Sequence, residues 1–267
     1  MTLPLFTPGE DPGPNFAGLL RRISPSISPS SGASSAGGGS VTVRHGTTVA
    51  ALRYADGVVM AGDRRATEGN TIAHRAMEKV FPADRHSAVA IAGAAGPAVE
   101  MVKLFQTQLE HYEKVEGLAL SLEGKANQLG QMVREHLPMA FQGLVVVPLF
   151  AGYDLARGQG RIFTYDVTGG HYEEAEHAAT GSGGRDARTT IKLGWHDALS
   201  RDEAIELVVQ ALYNAADEDA ATGGPDVVRG IYPVVATVSS EGYERVPEPE
   251  VAERFGVLVE RGLGGGG

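Results

Sequence analysis

Thr47 stands at His45-Gly46-Thr47-Thr48, where a polar stretch rich in Ser, Gly and Pro gives way to an alternating apolar run. Within a chain a threonine hydroxyl is a weak nucleophile, because no base is at hand to take its proton. Cutting the Gly46–Thr47 bond would free an α-amine beside that hydroxyl. Such an amine has an unperturbed pKa of about 7.7–8.0 and is therefore substantially unprotonated near neutrality. It can take the hydroxyl proton, which is one route to covalent catalysis by threonine. Asp63 lies sixteen residues further on and Lys79 another sixteen. A lysine beside the hydroxyl would favour its deprotonated form, and an aspartate would hold that lysine and orient the amine. From spacing alone, an exposed Asp-Arg-Arg run and a solvated strand lysine remain an equal reading.

Further along, Ala92-Gly93-Ala94-Ala95-Gly96 reads as a strand-to-helix junction. Backbone N–H groups at a helix start are natural oxyanion donors, although many such turns are rich in glycine. Gly181-Ser182-Gly183-Gly184 opens another helical stretch. It lacks the lysine-serine or lysine-threonine ending of a phosphate loop and is no dinucleotide fingerprint, so a helix-capping serine would explain it equally well. Asp217 to Asp219 and Ala220-Ala221-Thr222-Gly223-Gly224 read as a helix end closed by glycine. The eight histidines form no metal pattern, and Arg44-His45-Gly46 lacks the second arginine of a histidine phosphatase motif.

These residues need elements to hold them. Thr48 to Tyr54 and Val58 to Ala61 read as strands joined by an Asp56-Gly57 turn, which would bring Asp63 back beside Thr47. A second hairpin is expected from Ala76 to Phe81 and Ser87 to Gly93, turning at Pro82-Ala83-Asp84-Arg85. Apolar residues at three-to-four spacing predict helices over Ala98 to Val115 and Leu122 to Phe141. Strands follow at Leu144 to Tyr153 and Arg161 to Asp166, then helices at Gly184 to Lys192 and Arg201 to Ala216. Ser200 and Glu203 form a capping box for the second of these. Strands at Ile231 to Ser239 and Tyr243 to Val246 close the domain. Segregated runs of strands and helices imply an α+β layered fold.

The chain has 267 residues, enough for a sizeable core in one or two domains. The Ser24 to Ser40 run cannot bury enough apolar surface to order itself, so residues 1–46 read as a disordered leader and 47–260 as the folded domain. Residues 261–267 read as a flexible tail rich in glycine. The absence of cysteine excludes a thiol nucleophile, disulfides and cysteine metal sites. A net charge of −10 leaves no basic footprint for nucleic acid. No apolar run reaches the roughly 18 residues of a membrane span, and Arg21-Arg22 has no apolar stretch behind it that would make it an export signal. A cytoplasmic location is expected.

Taken together, GTTVAALRY and DGVVMAGDRRAT (46–67, with Ala55 between), EKVF (78–81), IAGAAGPAVE (91–100), GSGG (181–184) and DEDAATGGPDVVRGI (217–231) resemble a proteasome β-subunit of the actinobacterial type. The resemblance covers residues 46 to about 260. It implies the four-layer αββα sandwich of N-terminal nucleophile hydrolases, and a threonine endopeptidase whose residues 1–46 are a propeptide removed by autocatalysis between Gly46 and Thr47. It also implies Lys79 and Asp63 as charged partners of Thr47 and the Gly93 amide as oxyanion donor. Ser182, Asp219 and Thr222 would form a network around the Thr47 amine, although the family more often has serine where Thr222 stands. Thr67 would bind the substrate backbone as an added strand. Ala66, Met77, Ile91 and Ala95 would line the pocket before the scissile bond, favouring hydrophobic or small residues there. No cofactor and no metal are implied. The implied partners are further copies of the chain and α-subunits in stacked seven-membered rings, a ring ATPase, and substrates tagged with a small ubiquitin-like protein. Three alternatives stand beside this reading: a simpler bacterial threonine peptidase without α-rings, a catalytically silent ring subunit, and a small-molecule amidase of the same broad class.

Overall fold

The computed structural model describes residues 46–68 and 71–264. The segment expected to be a leader, over residues 1–45, lies outside that range, as do residues 69–70 and the last three residues. Two five-stranded sheets form the middle of the molecule. One has the order β10 (His177–Gly181), β1 (Thr48–Tyr54), β2 (Gly57–Gly62), β11 (Val234–Ser239) and β12 (Gly242–Arg245). The other runs β5 (Val80–Asp84), β6 (Ser87–Gly93), β7 (Val146–Asp154), β8 (Gln159–Tyr165) and β9 (His171–Glu174), and every neighbouring pair in both sheets is antiparallel. A small ribbon, β3 (Ala66–Glu68) with β4 (Thr71–His74), projects after β2.

The apolar residues sort into three layers of core. Val49, Ala51, Val58 and Met60 of the first sheet meet Ala88, Ala90, Leu149 and Ile162 of the second. On the other face of the first sheet, Ala50, Leu52, Val59 and Ala61 pack beneath α4 (Gly184–Gly194), α5 (Arg201–Glu218) and α6 (Glu248–Gly264). The outer face of the second sheet packs beneath α1 (Ala95–Glu116) and α2 (Leu122–Glu135) through Val89, Phe105, Leu129, Phe150 and Phe163. The result is helix, sheet, sheet, helix: the four-layer αββα sandwich. Because β1 and β2 are covered on both faces, nearly all their residues are buried and their sequences read as continuous apolar runs.

Several expectations need correction. The first turn is Ala55-Asp56, since Tyr54 pairs with Gly57. In the second hairpin β5 runs through Pro82 to Asp84, and only Arg85-His86 turn. Proline is tolerated because β5 is an edge strand. Ala76 to Lys79 is not strand, since β5 begins at Val80. The helix expected over Leu122 to Phe141 stops at Glu135. A short turn α3 (Leu137–Ala140) follows, with Pro138 where it can sit without breaking an internal helix. The sequence reading missed β3, β4, β9, β10 and α6. The last of these runs to Gly264, past the boundary set at residue 260.

Candidate active site

Thr47 immediately precedes β1, the strand between β2 and β10. Its position is set from both sides. Asp63 N–H donates to Thr48 O at 3.0 Å, continuing the β1–β2 pairing, and Ser182 N–H donates to Thr47 O at 2.8 Å, continuing that of β10. Asp63, directly after β2, is wholly buried. Its Oδ1 accepts from Thr48 N–H (2.7 Å) and Lys79 Nζ (2.7 Å), and its Oδ2 from Arg65 N–H (2.9 Å) and Gly223 N–H (2.8 Å). Four donors around one carboxylate satisfy a charge that would otherwise be costly to bury.

Lys79 comes from the other sheet, one residue before β5, and is 1% exposed. Its Nζ donates to Asp63 Oδ1, to the Arg65 carbonyl at 2.5 Å and to the Gly46 carbonyl at 3.4 Å. Three acceptors match the three protons of an ammonium. Burial pushes the Lys79 amine below its ordinary value, with Asp63 opposing.

The peptide bond ahead of Thr47 lies inside this cluster. Thr47 Oγ1 donates to Gly46 O at 2.7 Å, so the hydroxyl and the Lys79 ammonium meet at one carbonyl oxygen. Gly46 N–H donates to Thr67 Oγ1 at 2.9 Å. A Cβ on Gly46 would lie 2.3 Å from Ala221 Cβ, which leaves room for no other residue.

Thr47 N donates to Ser182 Oγ at 3.4 Å. Beyond it a chain of hydroxyls runs to Asp219, which accepts from Ser182 and, at 2.6 Å, from Thr222 Oγ1. Burial raises the Asp219 carboxyl, but the hydrogen bonds from Ser182, Thr222 and the Ala221 and Thr222 backbone outweigh it and hold the carboxyl below its ordinary value. Thr222 does not reach Thr47 N. Its proton goes to Asp219, and its oxygen accepts instead from Thr48 Oγ1 at 2.6 Å, an oxygen that in turn accepts from Gly183 N–H at 2.9 Å. Of the network expected around the Thr47 nitrogen, Ser182 touches it and Asp219 stands behind Ser182. Thr222 braces the following residue.

Gly93 ends β6, two residues before α1 begins at Ala95. Ile91 is 3% exposed, within the core beneath α1, and its N–H donates to Lys79 O at 3.0 Å. Met77 N–H donates to Arg64 O at 3.0 Å, and Ala66 follows Arg65 at the start of β3. Ile91 is thus tied to Lys79, and Met77 to Arg64, through the backbone. Sequence reasoning overlooked Arg65, Thr48 and the Gly223 amide. Arg65 was visible beside Asp63 but read as surface charge, and Thr48 read as an ordinary strand residue. Among the described residues, no group of acidic or imidazole side chains is arranged to hold a metal ion, and no helix is long and apolar enough to cross a membrane.

The family model described as "Proteasome subunit" matches residues 43–229. A protein named "Proteasome subunit beta" from Acidimicrobium ferrooxidans is 65% identical over 253 residues, covering 95% of this chain and 92% of its own length. One of the same name from Streptomyces griseus subsp. griseus is 55% identical over 258 residues, covering 97% and 91%.

Proposed function

The chain belongs to the proteasome subunit family as a bacterial-type β-subunit, a threonine endopeptidase, and from that premise we propose that Thr47 is its nucleophile, first against its own leader and then against substrates. The observation that carries this reading is the meeting of the Thr47 hydroxyl and the Lys79 ammonium at the Gly46 carbonyl oxygen.

In the precursor Thr47 Oγ1 attacks the Gly46 carbonyl carbon. Lys79 Nζ faces the oxygen on which negative charge develops, in a buried site where such stabilisation is strong. The C–N bond then breaks, the hydroxyl proton passes to the departing nitrogen, and Gly46 is left as an ester on Oγ1. Water hydrolyses that ester, releasing residues 1–46 and restoring the Thr47 hydroxyl beside the amine freed when the C–N bond broke.

In the mature chain this amine accepts the hydroxyl proton as Oγ1 attacks a substrate carbonyl. The adjacent Lys79 charge lowers the amine's proton affinity, keeping it basic in form near neutrality. The Gly93 amide at the end of β6, just ahead of α1, donates to the oxyanion. The proton goes to the leaving amine, an acyl-ester forms, and water attacks it with the Thr47 amine as base. Asp63 holds Lys79 and the Thr48 amide in place, while Ser182 and Asp219 orient the Thr47 nitrogen. Thr67, which receives the leader's Gly46 N–H, serves a substrate strand in the same way. Ala66, Met77, Ile91 and Ala95 form an apolar pocket for the residue before the cut.

The working enzyme is the core particle, with this chain in seven-membered rings beside rings of α-subunits. It lies in the cytoplasm and is fed by a ring ATPase with substrates that carry a small ubiquitin-like tag. The test is Thr47→Ala, co-expressed with an α-subunit. The variant is expected to retain residues 1–46 by intact mass and to hydrolyse no fluorogenic peptide, while the wild-type chain loses them. A Thr47→Ala particle that still cleaves peptides would overturn the assignment.

A further inference from the structure

Arg65 occupies a place in this site that none of the roles above describes. Its backbone is already engaged: the N–H donates to Asp63 Oδ2 at 2.9 Å and the carbonyl accepts from Lys79 Nζ at 2.5 Å. Its side chain turns the other way. Arg65 Nη1 donates to the Ala220 carbonyl at 3.0 Å, across 155 residues of sequence. Ala220 opens the turn that supplies Ala221 against Gly46, Thr222 against Thr48, and the Gly223 N–H that donates to Asp63 Oδ2. The two segments touch closely, since a Cβ on Gly223 would lie 2.6 Å from Arg65 Cβ and 3.0 Å from its nitrogen. Only glycine permits that approach.

We infer that Arg65 is a positioning residue for the Thr47 chemistry: its guanidinium clamps the Ala220–Gly223 turn to the end of β2 and adds a fixed positive charge beside Lys79. The inference rests on the reading of Thr47 as nucleophile. The backbone contacts of Arg65 do not involve its side chain, so Met, Gln and Lys variants remove only the clamp, the charge or both. The charged groups around the Lys79 ammonium are the carboxylate of Asp63 after β2, that of Asp219 at the end of α5, and the Arg65 guanidinium. The Thr47 amine joins them once the leader has gone. Burial is the largest influence pushing Lys79 down, the Asp63 carboxylate opposes it, and the Arg65 charge pushes down again. Removing that charge raises the pH at which Lys79 loses its proton. Because Lys79 acts as an ammonium, the alkaline limb of the rate profile moves up with it.

The experiment compares core particles assembled with α-subunits from wild-type chain, Arg65→Met, Arg65→Gln, Arg65→Lys and Thr47→Ala, using a fluorogenic peptide with an apolar residue before the cut. Arg65→Met is expected to lower kcat about tenfold, the effect of losing one charge-assisted hydrogen bond. KM should stay unchanged, and the alkaline limb should shift to higher pH. Arg65→Gln, neutral but able to donate to Ala220, should recover part of kcat and keep the shifted limb. Arg65→Lys should return the limb towards its wild-type position. A fall in kcat with both limbs in place in all three variants would mean a merely structural side chain and would overturn the inference, as would unchanged kinetics. If Arg65→Met fails to assemble, Arg65→Gln carries the same pH test. Hydrolysis by Thr47→Ala would instead overturn the nucleophile assignment beneath it, so the two failures are distinguishable.

Discussion

At the scale of single residues, the site depends on the buried Lys79–Asp63 pair, whose members are 1% and 0% exposed at the side chain. Breaking a buried pair by removing one partner leaves an uncompensated charge and costs about 3–5 kcal/mol. Lys79→Met, close in size, is therefore expected to lower the denaturant midpoint markedly and to leave the leader uncleaved, as read by chemical unfolding and intact mass. A variant of wild-type stability that still matured would contradict the arrangement. The Lys79 pKa lies below its ordinary value in the fold, so the unfolded chain binds this proton more readily at pH values between the two. Through that group alone, stability rises with pH across the interval and falls as pH drops through the folded value. As candidates, Gly46 and Thr47 were legible in the sequence from the compositional break at their junction, and Asp63 and Lys79 from the family resemblance, since spacing alone left their reading open. The roles of Arg65 and Thr48 were not, because an arginine or a strand threonine looks ordinary until its partners arrive from residues 182 to 223.

At the scale of elements, β10 is the strand that sequence reasoning missed and the site most needs. Its residues pair with β1 from Thr48↔Gly181 to Leu52↔His177, and its last turn presents Ser182. The segment His177–Gly181 is short and partly exposed, with neither alternation nor an apolar run to mark it. Gly181 has a positive φ of 98°, and a Cβ there would sit 1.8 Å from Thr47 O. Gly181→Ala is accordingly expected to push β10 off Thr47 and reduce leader removal severely, measured as the ratio of precursor to mature mass. Normal maturation in that variant would show that the backbone has room to relax. The missed helix α6 has a different explanation. Val251 and Phe255 at helical spacing are buried in the core that α6 shares with α5, with Phe255 against Tyr213, a readable signal obscured by the charged and glycine-rich residues around it. Pro138 divided the helix expected to reach Phe141, as a proline inside a helical pattern does.

At the scale of the whole molecule, the two sheets must keep their alignment, because Thr47 and Asp63 belong to one and Lys79 and Gly93 to the other. The inter-sheet core of small and branched residues fixes that alignment. Leu149, wholly buried in that layer, tests the dependence. Leu149→Ala is expected to cost about 2–5 kcal/mol in unfolding free energy and to slow peptide hydrolysis as Lys79 loosens relative to Thr47. A large stability loss with an unchanged rate would show the site to be insulated from the core. The sequence by itself determined the class of fold, through segregated runs of strand and helix signals, and marked Thr47 as a candidate nucleophile, through a compositional break at one peptide bond. Both are local properties, carried by neighbouring residues and by side-chain periodicity. Tertiary structure alone decided that Thr222 braces Thr48, that Arg65 holds the Ala220 turn, and that the Thr47 hydroxyl and the Lys79 ammonium converge on one carbonyl oxygen. Those contacts join segments more than thirty and up to about 170 residues apart: the packing of one sheet on the other brings Lys79 to Gly46, and the packing of α5 on the first sheet brings the turn after it to Thr48 and Arg65.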